Sequence, residues 1–244
     1  MLVKDWMSKP AVTVDADESV AKAVKLLKRH EVNMLPVMAG KRLAGIIANA
    51  DIQRASAAGF DPFKQDEFYE LLSQVKVGSV MTRNPIKVSP EHTIEEVAEI
   101  LLVHRISGLP VVDGRDEVIG VITKSDILQL ILILAGKAKR GIQFALELEN
   151  QPDRIKDITD MILDYGGRIS SLIATRERAG RGNQRLYFRI YGIDQPSFLR
   201  LTEVIREKAK LLYIINHDEK TRQFFKGGRN QARAAKNSGP VSGP

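Results

Sequence analysis

Apolar residues fall at Val20, Ala23, Val24 and Leu27, a spacing that gathers them into one stripe of a helix, and the same spacing returns at Ile94, Val97, Ala98 and Leu101. Ser19 stands where the first helix needs its N-cap, and Thr93 with Glu96 has the spacing of a capping box for the second. After each stripe comes a short apolar strand over residues 34–38 or 109–112, a turn at Gly40 or Gly114, and a second strand over 43–47 or 118–122. Each set reads strand, helix, strand, strand, helix. Pro36 and Pro110 fall near the start of the first of these strands, and a proline cannot donate to a ladder, so the pattern predicts an edge or an exposed first residue, with that end of the sheet open. Between the sets, residues 60–75 read as a helix with Phe68, Leu71 and Leu72 on its apolar side.

The two sets are copies. Met7, Val14, His30, Leu35, Pro36, Val37 and Gly40 recur 74 positions on as Met81, Val88, His104, Leu109, Pro110, Val111 and Gly114. From Gly45 the offset is 75, matching Gly45 to Gly120 and Asp51 to Asp126. Two copies of one supersecondary unit that bury apolar faces against each other imply a closed pair.

From Ile142 the pattern changes. Residues 142–148 alternate as a strand, a helix from Pro152 carries Ile155, Ile158 and Ile162 on one side, and Gly166-Gly167 stops it. Residues 169–175 and 185–191 read as two strands joined by a loop over 176–184, followed by a helix with Phe198, Leu201 and Ile205 and a strand over 211–215. The order β-α-β-β-α-β is the ferredoxin-like split unit. The joining loop holds Arg176, Arg178 and Arg181 among glycines, and reads either as a solvated hairpin or as a holder of phosphate.

Composition narrows the function. With 244 residues and 43% hydrophobic content the chain can build two or three small cores. The absence of cysteine excludes disulfides, thiolate zinc sites and a cysteine nucleophile, and fits a reducing compartment. The N-terminus has no apolar run of signal-peptide length, and the greasiest stretch, 127–135, is far short of the roughly 20 residues that span a bilayer. A cytoplasmic protein is expected. The net charge of +7 is concentrated beyond residue 218, where six basic residues face one acid; the Gly-, Asn- and Ala-rich tail 218–244 is expected to be disordered, either solubilising or in contact with an anionic surface. His30 and His104 each stand alone at a helix end, which suits charge at a helix C-terminus rather than metal ligation, so no metal site is expected. No nucleophile elbow, Walker loop or zincin motif occurs, and no catalytic role is expected.

The doubled segments Met-Ser-Lys-Pro-Ala-Val-Thr-Val with Met81 to Val88, Asn33 to Val37 with Ser107 to Val111, and Gly45 to Asp51 with Gly120 to Asp126 resemble a tandem pair of CBS domains over residues 1 to about 136. The resemblance implies a ligand-sensing module, generally without catalysis, that binds an adenosine-containing molecule in clefts between the copies. It implies a main site in which Ile86, Lys87 and Val88 meet the adenine edge and Ser107, Gly108, Leu109 and Pro110 line the pocket. Thr123, Lys124, Ser125 and Asp126 complete that site at a strand-to-helix junction, where exposed N–H groups favour anions and Asp126 can accept from both ribose hydroxyls. The same threonine and aspartate also read as a plain helix cap. In the first copy Ala48 replaces the hydroxyl residue, so Val12, Thr13, Asn33, Met34, Pro36, Asn49 and Asp51 are expected to form a second site, weaker by one neutral hydrogen bond of about 0.5–1.5 kcal/mol.

Residues 141 to about 217, with Leu148 to Ile155 opening the first helix and Tyr165 to Ile169 closing it, look like an ACT domain. That implies a candidate amino-acid site at Asn150, Gln151, Pro152 and Asp153. Asp153 stands where amino-acid-binding members carry glycine, so a dimerising or relay role is an equal reading. The whole arrangement is similar to the accessory proteins encoded with acetoin-utilisation enzymes. It implies an α/β (α+β) chain divided into repeat 1 (1–56), a linker (57–76), repeat 2 (77–136), an ACT-like domain (141–217) and the tail. The implied function is a homodimeric cytoplasmic regulator that needs no cofactor, takes AMP, ADP or ATP as regulatory ligand and acts on a protein partner. An amino-acid-responsive regulator and a nucleic-acid-associated protein using the basic tail are the alternatives.

Overall fold

The computed structural model describes residues 1–56 and 65–225. The chain divides into two compact units, Met1–Leu130 and Ile131–Pro244. Among the described residues no helix is long and apolar enough to cross a membrane.

In the first unit, β1 (Val14–Asp15), α1 (Val20–Arg29), β2 (Met34–Ala39), β3 (Arg42–Ala48) and α2 (Asn49–Ser56) make the first copy. After α3 (Gln65–Gln74) and α4 (Val77–Val80) come β4 (Thr82–Arg83), α5 (Ile94–Val103), β5 (Gly108–Val112), β6 (Val118–Thr123) and α6 (Lys124–Leu134). The caps expected from sequence are formed: the Ser19 hydroxyl accepts from Lys22 N–H, and Thr93 and Glu96 cap each other's backbone. His30 and His104 sit at the C-caps of α1 and α5.

Each copy has its own core, one around Val20, Ala23, Leu27, Leu35, Val37 and Ile47, the other around Ile94, Val97, Leu101, Leu109, Val111 and Ile122. Each of the larger side chains contributes roughly 1.5–3 kcal/mol by leaving water. The copies exchange their leading segments. Val3, ahead of the first copy, is buried in the second core, and Val77, ahead of the second, is buried in the first. Ser8 pairs with Val121 of β6, while Thr82 and Arg83 pair with Ile46 and Gly45 of β3. Glycine permits this crossing: a Cβ on Gly120 would lie 2.7 Å from Met7 Sδ and 2.9 Å from the Ser8 carbonyl, and one on Gly45 2.7 Å from Met81 Sδ and from the Thr82 carbonyl.

Pro36 does not lie at an edge: the four-stranded sheet runs β1-β2-β3-β4, so it is in an inner strand. Pro110 lies in β5, an edge strand of the two-stranded sheet β5-β6, flanked on its other side, among the described residues, only by the isolated bridge at Val88, and both prolines are buried. In the second copy Val88 N–H donates to the Pro110 carbonyl and Val112 N–H to the Val88 carbonyl. The side on which Pro110 lacks a donor is therefore the side where the short parallel bridge is only beginning, and no ladder bond is lost. In α3, Leu72 is buried while Leu71 is 57% exposed, so Leu71 leaves the apolar side assigned to it; Phe60 and the Phe68 side chain lie outside the described residues.

The second unit contains β7 (Ile142–Glu149), α7 (Pro152–Asp164), β8 (Arg168–Thr175), β9 (Asn183–Tyr191), α8 (Gln195–Lys208), β10 (Lys210–Asn216) and β11 (Thr221–Phe224). The sheet order is β11-β10-β7-β9-β8, antiparallel throughout. Ile158, Ile162, Phe198, Leu201 and Ile205 pack on Phe144, Leu146, Phe188 and Ile190, with the Phe144 and Phe188 rings stacked at 5.0 Å. Two boundaries move. β9 begins at Asn183, shortening the joining loop, and β11 extends the fold past residue 217 into the segment expected to be tail. Tyr213 to Asn216 pair with Phe224 to Thr221, and Phe225 packs against the core under the Arg206 guanidinium at 4.8 Å. Residues 226–244 lie outside the described residues.

Candidate functional site

The exchanged leading segments build two related cavities in the first unit, each walled by both copies. The smaller, about 200 Å³, is lined by Ser8 and residues 10–12 of the first leading segment, by residues 31–34 before β2, and by Thr123, Ser125 and Asp126 of the second copy. The larger, about 720 Å³, is lined by Ala48, Asp51 and Arg54 at the β3–α2 junction, by Thr82, by residues 105–108 before β5, and by Lys124. Met34 reaches both.

At the smaller cavity the threonine and aspartate cap the helix and face the space together. Thr123 N–H and Oγ1 both donate to Asp126 Oδ2, at 2.7 and 2.6 Å, and Asp126 N–H points back to Thr123 Oγ1 at 3.3 Å. The cap reading and the cavity reading are thus compatible: one carboxylate oxygen holds the helix start, and the same carboxylate forms part of the wall. At the larger cavity Ala48 N–H donates to Asp51 Oδ2 at 2.8 Å, while Oδ1 accepts from the Thr82 hydroxyl at 3.3 Å and is ion-paired to Arg54. Asp51 is buried, and both its oxygens are held by the protein itself.

The two groups of residues read from the sequence are not the two groups that the fold assembles. Thr123, Ser125 and Asp126 share a cavity with Val12, Asn33 and Met34, which had been assigned to the other site. Ser107, Gly108 and Lys124 share theirs with Asp51 and Met34. Each cavity joins the helix start of one copy to the turn and the exchanged leading segment of the other. Thr13, Pro36, Asn49, Ile86, Lys87, Val88, Leu109 and Pro110 line neither cavity. Val88 and Leu109 are core residues, Lys87 is ion-paired to Asp116, and Asn49 reaches Asn33 at 3.5 Å. Ser8, Glu31, Arg54, Thr82 and Arg105 line the cavities without having been read as site residues. Glu31 and Arg105 carried a signal, since both follow the recurring histidine 74 residues apart with opposite charge.

In the second unit the candidate residues 150–153 are engaged locally. Gln151 is the N-cap of α7, Pro152 its first residue, and the Asn150 amide oxygen accepts from Arg176 Nε and Nη2 at 3.1 and 3.0 Å. Glu147 holds the other end of the same loop through Gly180 N–H and Asn183 Nδ2. Arg189, buried on the sheet face away from the core, donates to the Gly136 carbonyl at 3.3 Å and Gln143 Oε1 at 3.4 Å and lies 3.3 Å from His217 Nε2, with no acidic partner among the described residues. Burial, then the charges of Arg189, Arg222 and Arg140, hold the His217 imidazole below its ordinary range, against a smaller opposing effect of Asp218. Among the described residues no group of three or more His, Asp or Glu is placed to hold a metal ion.

The CBS domain family model matches residues 3–58 and 77–133. A CBS domain-containing protein of Dictyostelium discoideum is 34% identical over 133 residues, 54% of this chain and 92% of that protein. The L-aspartate semialdehyde sulfurtransferase of Methanocaldococcus jannaschii is 34% identical over 130 residues, but the match spans only 23% of its length. A CBS domain pair solved in complex with 5′-methylthioadenosine and S-adenosyl-L-methionine is 33% identical, with a TM-score of 0.46 over 54% of this chain and 95% of that one.

Proposed function

Since the chain belongs to the CBS domain family and carries the domain twice in tandem, we propose that it is a non-catalytic cytoplasmic regulator that binds an adenosine-containing ligand, AMP, ADP or ATP among them, between its two copies. The observation that carries this reading is the pair of cavities walled by both copies, each with an aspartate at a helix start. A ligand there touches both copies at once and shifts their relative arrangement to the extent that it prefers one, a coupling of about 1–3 kcal/mol in typical cases. Ribose offers two adjacent hydroxyl donors; Asp126, engaged through Oδ2 alone, has acceptor capacity left for both, and Asp51, engaged through both oxygens, has room for one. The β-α-β-β-α-β order of the second unit supports an ACT-type, ferredoxin-like relay to a protein partner. Asn150 is already satisfied by Arg176, which favours relay over amino-acid sensing. Exposed Leu102, Val103 and Leu128 on the second copy support a homodimer.

Thermal melts with adenosine, AMP, ADP, ATP and S-adenosylmethionine test the reading. Ligand at about 100 times its dissociation constant adds roughly 2.7 kcal/mol, or about 2–4 °C for a chain of this size. The shift is expected to shrink in Asp51→Asn or Asp126→Asn and to vanish when both are changed. No shift with any adenosine compound overturns the proposal; a shift with single amino acids alone moves the sensing role to the second unit.

A further inference from the structure

We propose that the two cavities divide ligands by charge: the Asp51 cavity takes a phosphorylated adenosine ligand, and the Asp126 cavity takes a phosphate-free one, neutral or cationic. This rests on the adenosine reading above and adds which ligand class goes where. The larger cavity is lined by three cationic side chains, Arg54, Arg105 and Lys124, against one carboxylate, Asp51. The smaller is lined by two carboxylates, Glu31 and Asp126, and, among the described residues, by no lysine or arginine.

The internal repeat shows that this contrast is built position by position. Arg105 corresponds to Glu31, and Lys124 and Arg54 correspond to Asn49 and Gln129. Every cation of the larger cavity therefore has an acidic or neutral counterpart in the other copy. Glu31 and Arg105 even share backbone geometry, each following a helix C-cap with φ of 53° and 55°, so the fold presents the two side chains equivalently and only their charge differs. Arg54 gives one of its five N–H donors to Asp51 and is otherwise exposed, so its guanidinium serves both the aspartate and an incoming anion.

A terminal phosphate carries about −1.5 to −2 charges near neutral pH. Two carboxylates repel it from the smaller cavity, and three cations attract it to the larger. In the larger cavity Ala48 removes one neutral hydrogen bond to the ligand, a small loss beside charge-assisted bonds to a phosphate, which are roughly twice as strong as neutral ones. The smaller volume of the Asp126 cavity also suits a ligand without phosphates.

Isothermal titration of the full chain with AMP and with adenosine, at low and high salt, tests this. One AMP site per chain is expected, weakening as salt rises, while adenosine affinity is insensitive to salt. Arg105→Glu should weaken AMP by about tenfold or more and leave adenosine within about twofold, with Arg105→Gln intermediate. Glu31→Arg should create a second AMP site. Both positions are exposed, and each substitution places there the residue type its counterpart already carries, so folding is retained. AMP affinity unchanged in Arg105→Glu, or AMP binding lost in Asp126→Asn and kept in Asp51→Asn, overturns the division while leaving adenosine binding intact. Failure of adenosine, AMP and ATP alike to bind sinks the underlying reading as well.

Discussion

His217 illustrates how one residue reports the state of the second unit. Its imidazole lies 3.3 Å from the buried Arg189 guanidinium, and burial together with Arg189, Arg222 and Arg140 disfavours its protonation. The folded pKa is therefore below the unfolded one, so below about pH 6.5 the unfolded chain takes up a proton that the folded chain refuses. The stability contribution is intact above that pH and is lost as pH falls through it. Urea unfolding monitored at pH 7.5 and 5.0 should show a smaller acid-side loss in His217→Gln than in the parent; equal losses would place the titration elsewhere. Arg222 is close in the chain, but Arg189 and Gln143 reach His217 only across the sheet, so burial and the larger charge effect are not announced locally. Thr123 and Asp126, by contrast, are three residues apart, so their mutual cap could be read from sequence alone.

Among elements, those whose burial follows a local period were the readable ones. The stripes of α1, α5, α7 and α8 face the cores as their spacing required, fully buried except for the half-buried Val24, Ala98 and Ile155, because a helix repeats every 3.6 residues whatever it packs against. β11 was not readable: Thr221–Phe224 carries a single large apolar residue, all four positions are exposed, and its strand geometry comes from pairing with β10. The inner placement of Pro36 was hidden for a related reason, since the neighbouring strand β1 is two residues long and joins just past the missing donor. The crossing of the leading segments depends on Gly45 and Gly120. Gly120→Ala should force β6 away from the Ser8 carbonyl, costing about 1–3 kcal/mol as overpacking does. Because Ser8 and Asp126 line the same cavity, it should also lower adenosine affinity. Chemical denaturation and titration on the same preparation check both; a stable variant with unchanged binding would show that the crossing does not hold the cavity.

For the whole molecule, the repeat makes the two copies comparable surface by surface. Leu102, Val103 and Leu128 of the second copy are 72%, 68% and 62% exposed, whereas their counterparts in the first are Lys28, Arg29 and Gln53. Exposed apolar side chains on one copy alone favour association through that copy. Sedimentation equilibrium should show a dimer that weakens by at least about tenfold in Leu102→Glu with Leu128→Glu; a parent that stays monomeric at high concentration would count against it. The duplication, the helix stripes with their caps, the order β7-α7-β8-β9-α8-β10 of the second unit and the placing of an aspartate at each cavity's helix start were legible in the chain, because each depends on residues a few positions apart or on the chain resembling itself. Which residues share a cavity was decided by tertiary structure alone. Sequence order suggests that each copy completes its own site, but Val3 and Val77 are buried in each other's cores, and each cavity joins the helix start of one copy to the turn and leading segment of the other. That exchange is set by long-range packing of apolar side chains, which no local pattern encodes.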